Sequence, residues 1–385
     1  MERRSAYLPF GQPNFSEREV EAVARVIRSG WVGMGPETIA FEKELAQFVG
    51  VPEVVTVSSC TAGLFLSLVA AGVAPGDEVI VPSLTWCSSA NAALYLGARP
   101  VFCDVDGETL SATVETVKSR LSAKTKAVVV VHFGGHAIDV AALRRALPER
   151  VAIVEDAAHA FGSRYPDGKI VGTSGNYVCF SFYANKNLST AEGGAVALAD
   201  AAAAARIKSL RQHGLPVDAW KRFTDARSVY LAGQLSELGY KMNYTGLQAA
   251  LGRVQLQRFA ELQERRAQIA NYYVDRISRD CPSVVPQAGL RRSSHARHLF
   301  VIQLPIEKMS RNRDEVVMSF REKNLGVTLH YQPLHHMPLY AQYTPRGGLP
   351  VTDRLAPRIL TLPIGANMSV QDAADVCDHL VAVVS

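Results

Sequence analysis

The sequence predicts an α/β protein: a large domain on a mostly parallel sheet with helices on both faces, followed by a smaller α+β domain. Two patterns in the 385 residues predict it. Short β-branched runs at 54–57, 78–81, 99–103, 127–131 and 151–154 alternate with helical patterns such as 61–71 and 88–96, the rhythm of parallel strands joined by crossover helices. Strand-like runs at 177–183 and 195–198 extend the same sheet. Near residue 245 the rhythm gives way to a long amphipathic pattern, so the domains divide as 1–245 and 246–385.

The elements read in order as follows. Ser16 and Glu19 have capping-box spacing and open a helix on which Val20, Val23 and Ile27 share a face; Gly30 ends it. A glycine-rich loop, Gly30-Trp31-Val32-Gly33-Met34-Gly35-Pro36, leads into a second helix over 37–49. The alternating strands and helices follow. Leu247, Leu251 and Val254 then begin a helix predicted to run to about Arg279. Strands are predicted at 299–304 and 327–331, and a closing helix at 370–383.

Composition narrows the function. With 48% hydrophobic and 20% charged residues, the chain matches an ordinary globular protein. The net charge of +5 is spread without a long Lys/Arg run, which argues against nucleic-acid binding and leaves anionic small molecules open. No apolar run is long enough to span a bilayer, and the first residues do not lead into an apolar signal core, so no membrane insertion and a cytoplasmic location are expected. The six cysteines form no C-x-x-C pair and are expected to be reduced.

Three segments carry chemistry. Ser58-Ser59-Cys60-Thr61-Ala62-Gly63 follows a strand and opens a helix, where hydroxyls and free N–H groups suit a phosphate; alone it is equally a helix cap. Glu155-Asp156-Ala157-Ala158-His159 follows an apolar strand, the place where open α/β sheets bind ligands. A carboxylate there can face a cofactor's ring nitrogen, and Asp156 by itself could equally be an N-cap. Lys186 lies in a polar loop directly after the strand ending Ser181-Phe182-Tyr183, ahead of Gly193-Gly194. A lysine so placed can be tuned toward a neutral, nucleophilic amine, although a lone lysine is ordinarily a surface charge. No metal site is expected: His335 and His336 are adjacent with no carboxylate or cysteine pattern around them. Asp104-Val105-Asp106-Gly107 lacks the remaining acidic positions of a calcium loop.

Taken together, and with Ser29-Gly30-Trp31, Gly76-Asp77-Glu78-Val79-Ile80-Val81-Pro82, Gly97-Ala98-Arg99-Pro100-Val101-Phe102 and Leu247-Gln248-Ala249-Ala250-Leu251-Gly252, these segments resemble the DegT/StrS family of sugar-nucleotide aminotransferases over nearly the whole chain. The resemblance implies the type I fold of pyridoxal 5'-phosphate (PLP) enzymes. It also implies a ping-pong transfer of an amino group from glutamate, which leaves as 2-oxoglutarate, to a keto sugar nucleotide. Lys186 would hold PLP as the internal aldimine and move the proton; Asp156 would pair with the ring nitrogen. Thr61, Ala62 and Ser181 would bind the phosphate, Trp86 would stack on the ring, and His159, where many relatives carry Gln, would face the ring hydroxyl. Asn243 would reach the neighbour's PLP phosphate, which implies a homodimer with shared active sites. Gly33, Met34, His330 and Tyr331 match segments near the sugar nucleotide. The Ser58–Gly63 and Gly239–Asn243 wording and His159 are most similar to the aminotransferases of UDP-linked 4-keto-pentoses that make 4-amino-4-deoxy-L-arabinose. A dTDP- or GDP-linked sugar, a cyclitol ketone and a non-catalytic PLP-fold regulator are the alternatives. The dehydratases of this fold usually replace the lysine by histidine, so Lys186 argues against that chemistry.

Overall fold

The computed structural model describes residues 3–216, 219–225, 235 and 237–384. Seven strands form the main sheet: β1 (Glu53–Val57), β2 (Glu78–Pro82), β3 (Arg99–Cys103), β4 (Thr125–Val131), β5 (Ala152–Asp156), β6 (Tyr177–Ser181) and β7 (Gly194–Leu198). Their order is β1-β7-β6-β5-β4-β2-β3, parallel throughout except that β7 runs antiparallel to both its neighbours. Each of the seven coincides with a strand-like run in the sequence. β4 shows why these runs are continuous rather than alternating. Val128 and Val130 enter one apolar cluster with Phe41 and Phe180, while Ala127 and Val129 enter another with Leu64 and Leu68, so both faces of the strand are covered.

A second, antiparallel sheet of three strands, β8 (Val285–Pro286), β9 (Phe300–Gln303) and β10 (Ile359–Leu362), has the order β10-β9-β8. The helices Phe259–Asp280, Arg313–Glu322 and Val370–Val384 pack around it, burying Tyr273, Phe320 and Leu380 with Phe300 and Leu360.

Three expectations are corrected. The helix predicted from 247 to 279 is two, Gly246–Gln257 and Phe259–Asp280, broken at Arg258. The Arg258 guanidinium turns inward to Glu19 (2.8 Å) and to the backbone oxygen of Asn14 (3.0 Å), tying the break to the N-terminal segment. The segment 327–331 is not a strand: after a single bridge, Thr328 to Thr361, it leaves the small sheet and carries His330 and Tyr331 to the large one. The helix Glu17–Ser29 has its capping box at Ser16 and ends at Gly30 as predicted, but it buries Glu19, Ala22 and Val26 and leaves Val20 and Ile27 exposed.

Candidate active site

Val131, Asp156 and Ser181 are the last residues of β4, β5 and β6, and all three line one cavity of about 510 Å³ at the carboxyl ends of the parallel strands. The helix Cys60–Ala70 points its N-terminus at the same cavity, and Ser59, Cys60 and Thr61 line it. Ser59 Oγ accepts the Ala62 N–H (3.1 Å), so Ala62 sits inside the cap rather than on the cavity wall. Gly194 makes this packing possible: a Cβ there would stand 2.5 Å from the Cys60 nitrogen and 2.7 Å from the Phe180 oxygen.

The two acids of β5 part company because successive strand residues face opposite ways. Glu155 turns away from the cavity into the protein. There it accepts hydrogen bonds from His132 Nε2 (2.8 Å), Tyr165 Oη (2.6 Å), Ser174 Oγ (2.5 Å) and Asn176 Nδ2 (2.8 Å), which hold its carboxyl below the usual range despite full burial. Asp156 faces the cavity, only 5% exposed, and accepts from Ser89 Oγ (2.7 Å) and the Ala158 N–H (3.1 Å). Burial outweighs these donors and raises its carboxyl above the usual range.

Lys186 lines the same cavity from the loop after β6. Burial pushes its amine down to about 8, against the opposing pull of Asp156. Its Nζ lies 3.2 Å from His298 Nε2. His159 accepts the Gly134 N–H at Nδ1 (3.3 Å), so its ring proton is on Nε2 and is donated to Tyr331 Oη (3.1 Å). Burial keeps His159, His298 and His330 well below the ordinary imidazole value, His330 at about 3, so three neutral rings surround one lysine.

Of the residues singled out in the sequence, the structure brings Thr61, Trp86, Asp156, His159, Ser181, Lys186, His330 and Tyr331 together around this cavity. Trp86 is 57% exposed, so it is not a core aromatic; its ring lies 5.7 Å from that of Tyr331. Gly33, Met34 and Asn243 are elsewhere. The Gly33 carbonyl accepts the Gly246 N–H (2.9 Å), the Met34 carbonyl accepts from Trp31 Nε1 (3.0 Å), and Asn243 sits two residues before the Thr245 cap of the helix Gly246–Gln257. Ser89, Asn185, Asn187 and His298 escaped the sequence reading. Ser89 could have been found from its place beside Trp86 at the opening of a helix, and His298 from the polar run that stops one residue before an apolar strand. His335 and His336 acquire a carboxylate that their spacing did not reveal: both Nε2 atoms bond Asp353 Oδ1, at 2.9 and 2.7 Å.

The cavity passes a test of fit for PLP. Its volume of about 510 Å³ can take a small ring with its phosphate, and it has an acid and an amine on its walls and hydroxyls at a helix N-terminus. Asn185, also on its wall, has a buried Oδ1 with no hydrogen-bond partner.

Comparison with known proteins agrees. The chain is 38% identical over 382 residues to the spore coat polysaccharide biosynthesis protein SpsC of Bacillus subtilis, covering 98% of this chain and 97% of that one. It superimposes on the aminotransferase TlmJ from Streptoalloteichus hindustanus with a TM-score of 0.87 at 34% identity, covering 97% and 98% of the two chains. It also superimposes on Spr1654 of Streptococcus pneumoniae, a candidate sugar aminotransferase solved in its PLP form, with a TM-score of 0.87 at 26% identity over 98% of each chain. The DegT/DnrJ/EryC1/StrS aminotransferase family model matches residues 13–381, and the chain belongs to that family of PLP-dependent enzymes.

Proposed function

We propose that this aminotransferase moves an amino group from glutamate to a 4-keto sugar nucleotide, UDP-linked, with PLP attached to Lys186. The observation that carries the reading is the pairing of Lys186 and Asp156 on the walls of one buried cavity, where burial moves the lysine toward its neutral, nucleophilic form and leaves the carboxyl short of a cationic partner that a protonated ring nitrogen would supply. PLP, when bound, supplies the electron sink that lets a proton leave an amino acid's α-carbon.

The protein's part follows from its own groups. Lys186, lowered to about 8, releases its proton near neutrality and can act as nucleophile and then as base at Nζ. Asp156, braced by Ser89 and Ala158, is the anion for a protonated ring nitrogen. Thr61, Ser181 and the cap around Ala62 are assigned to the phosphate. The Nε2–H of His159, shared with Tyr331, is assigned to the ring's hydroxyl oxygen, and Trp86 to the ring face. His330 and Tyr331, arriving from the 246–385 region that we take as the small domain, close the cavity from the other side and are assigned to the sugar.

We assign Gly33, Met34 and Asn243 to the site of a second copy in a homodimer. Their absence from their own cavity supports this, as do the exposed Val20 and Ile27 and the buried Asn243 Oδ1 that lacks a partner. Among the described residues no helix is long and apolar enough to cross a membrane. The SpsC likeness supports a sugar substrate; the UDP-4-keto-pentose choice rests on the wording around Ser58–Gly63, His159 and Gly239–Asn243.

The test is spectroscopic. The absorbance of lysine-bound cofactor should bleach with glutamate and return when a keto sugar nucleotide is added. A panel of UDP-, dTDP- and GDP-keto sugars and an inosose should show the UDP-4-keto sugar turning over best. No bleaching with any amino donor overturns the reading; preference for another member of the panel overturns the substrate assignment alone.

A further inference from the structure

We infer that His298 is a positioning residue for Lys186: its Nε2 lone pair docks the ε-amine and so aims the amine's own lone pair into the cavity. The inference rests on the proposed role of Lys186.

The tautomer of His298 follows from its neighbours. Asn187 Nδ2 donates to Gln263 Oε1 (3.0 Å) and to the Ala296 carbonyl (2.7 Å), so the amide is oriented with Oδ1 toward His298. Asn187 Oδ1, 3.1 Å from His298 Nδ1, can only accept, so the ring proton is on Nδ1. His298 Nε2 is therefore a bare acceptor, 3.2 Å from Lys186 Nζ, and the lysine donates. Burial keeps the imidazole neutral, with His298 3% exposed.

The arrangement fixes a long side chain. A free lysine amine has about three staggered choices at each torsion. One N–H held by His298 removes most of them and leaves the other N–H and the lone pair for the remaining positions around a nitrogen that lines the cavity shared with Asp156. A purely structural histidine has no need of an unprotonated nitrogen aimed at the reactive amine. The groups facing Lys186 from the surrounding elements are Asp156 at the end of β5, Cys60 on its helix, Arg266 on Phe259–Asp280, and the neutral His159 and His330. Among the described residues His298 is the hydrogen-bond partner of Nζ.

His298→Leu and His298→Gln test this, the glutamine keeping an acceptor oxygen at similar reach. In the cofactor-free protein, labelling of Lys186 by trinitrobenzenesulfonate is followed against pH by peptide mass mapping. An acceptor stabilises ammonium more than amine, so its loss in His298→Leu should move the labelling midpoint down by about one pH unit or more, while His298→Gln stays with the wild type. In the PLP-loaded enzyme, bleaching by glutamate should slow about tenfold to about a hundredfold in His298→Leu and be restored to within about threefold of wild type in His298→Gln. An unshifted midpoint with unchanged bleaching in His298→Leu overturns the inference. So does equal loss in both variants, which would mark a structural role. Should thermal melts show that His298→Leu fails to fold, His298→Asn takes its place, since its amide reaches Asn187 but stops short of Lys186. Borohydride reduction of the wild type keeps the two levels apart. No PLP fixed on Lys186 removes the parent reading, whereas fixed PLP with indifferent His298 variants removes only this one.

Discussion

Asp156→Asn should weaken cofactor binding while leaving the cofactor-free protein at least as stable. The substitution keeps the shape. Asn Oδ1 can still accept the Ala158 N–H, and the Ser89 hydroxyl, which donates at 2.7 Å in the native protein, can rotate to accept from the new amide. What disappears is a buried negative charge that desolvation already disfavours. A hydrogen bond to a charged group is worth about 1.5–3 kcal/mol, so the loss of an anion opposite a protonated ring nitrogen predicts about tenfold to about 150-fold weaker PLP retention. Equilibrium dialysis read by absorbance measures it. Stability should move the other way. Because the folded carboxyl lies above its unfolded value, the native side chain contributes stability at low pH that is lost as pH rises from the unfolded value through the folded one. The asparagine has no such loss. The advantage of the variant in urea unfolding of the cofactor-free protein should therefore grow between acid and neutral pH. Unchanged PLP retention, or weaker retention together with a less stable cofactor-free protein at neutral pH, would refute the reasoning.

Other substitutions separate chemistry from architecture. Lys186→Ala should leave the melting temperature of the cofactor-free protein unchanged or raised, because it removes a buried amine, while borohydride no longer fixes PLP to the protein; fixation elsewhere with retained turnover would reject the assignment. Glu155→Ala strands four donors, two of them (His132 and Tyr165) buried, and should cost about 3–5 kcal/mol in urea unfolding at neutral pH. Since the folded Glu155 carboxyl is depressed, its contribution is present above the unfolded carboxylate value and lost as pH falls through the folded one, so wild type and variant should converge in acid. Gly194→Ala drives a methyl into the Cys60 nitrogen and should lower PLP affinity and thermal stability together; a neutral outcome would mean that the loop and strand can separate at little cost.

The large sheet was legible because strands buried on both faces, such as β4 and β7, read as nearly unbroken apolar runs, while the edge strand β3 is less covered, with Arg99 exposed. The small sheet was harder, since β8 has two residues and no run of its own. The site was legible where chemistry and chain order coincide: Asp156 and Lys186 each follow an apolar strand, and sheet geometry puts such positions on the same edge. Contacts formed across the fold could not be read that way. Ser89 reaches Asp156 across 67 residues, His298 reaches Lys186 across 112, and Asp353 meets His335 across 18 in a fold-dependent turn. The helix break at Arg258 was hidden for the same reason. Arginine is a good helix former, and what stops the helix is a partner at Glu19, 239 residues away. The apolar stripe Val20–Ile27 was visible, but that Val20 and Ile27 are exposed was not, because periodicity reports that a face is apolar without saying what covers it.

The arrangement of charge in the cavity explains why so many histidines can crowd one lysine without defeating it. His159, His298 and His330 are each neutral because burial makes an imidazolium costly and the nearby Lys186 adds to that cost. Neutral rings present one N–H and one lone pair apiece, so they orient partners without contributing a field. The buried ionic poles on the cavity wall include Asp156 and Lys186, with the partial positive end of the helix Cys60–Ala70 beside them. A ring with a basic nitrogen, an aldehyde and a phosphate finds a complementary group at each of those three places. Protonating any one of the histidines would put a second cation near Lys186, push its amine further toward the neutral form and remove a lone pair that now holds something in place. The imidazoles thus serve the site by staying uncharged, and burial enforces that as firmly as it lowers the lysine.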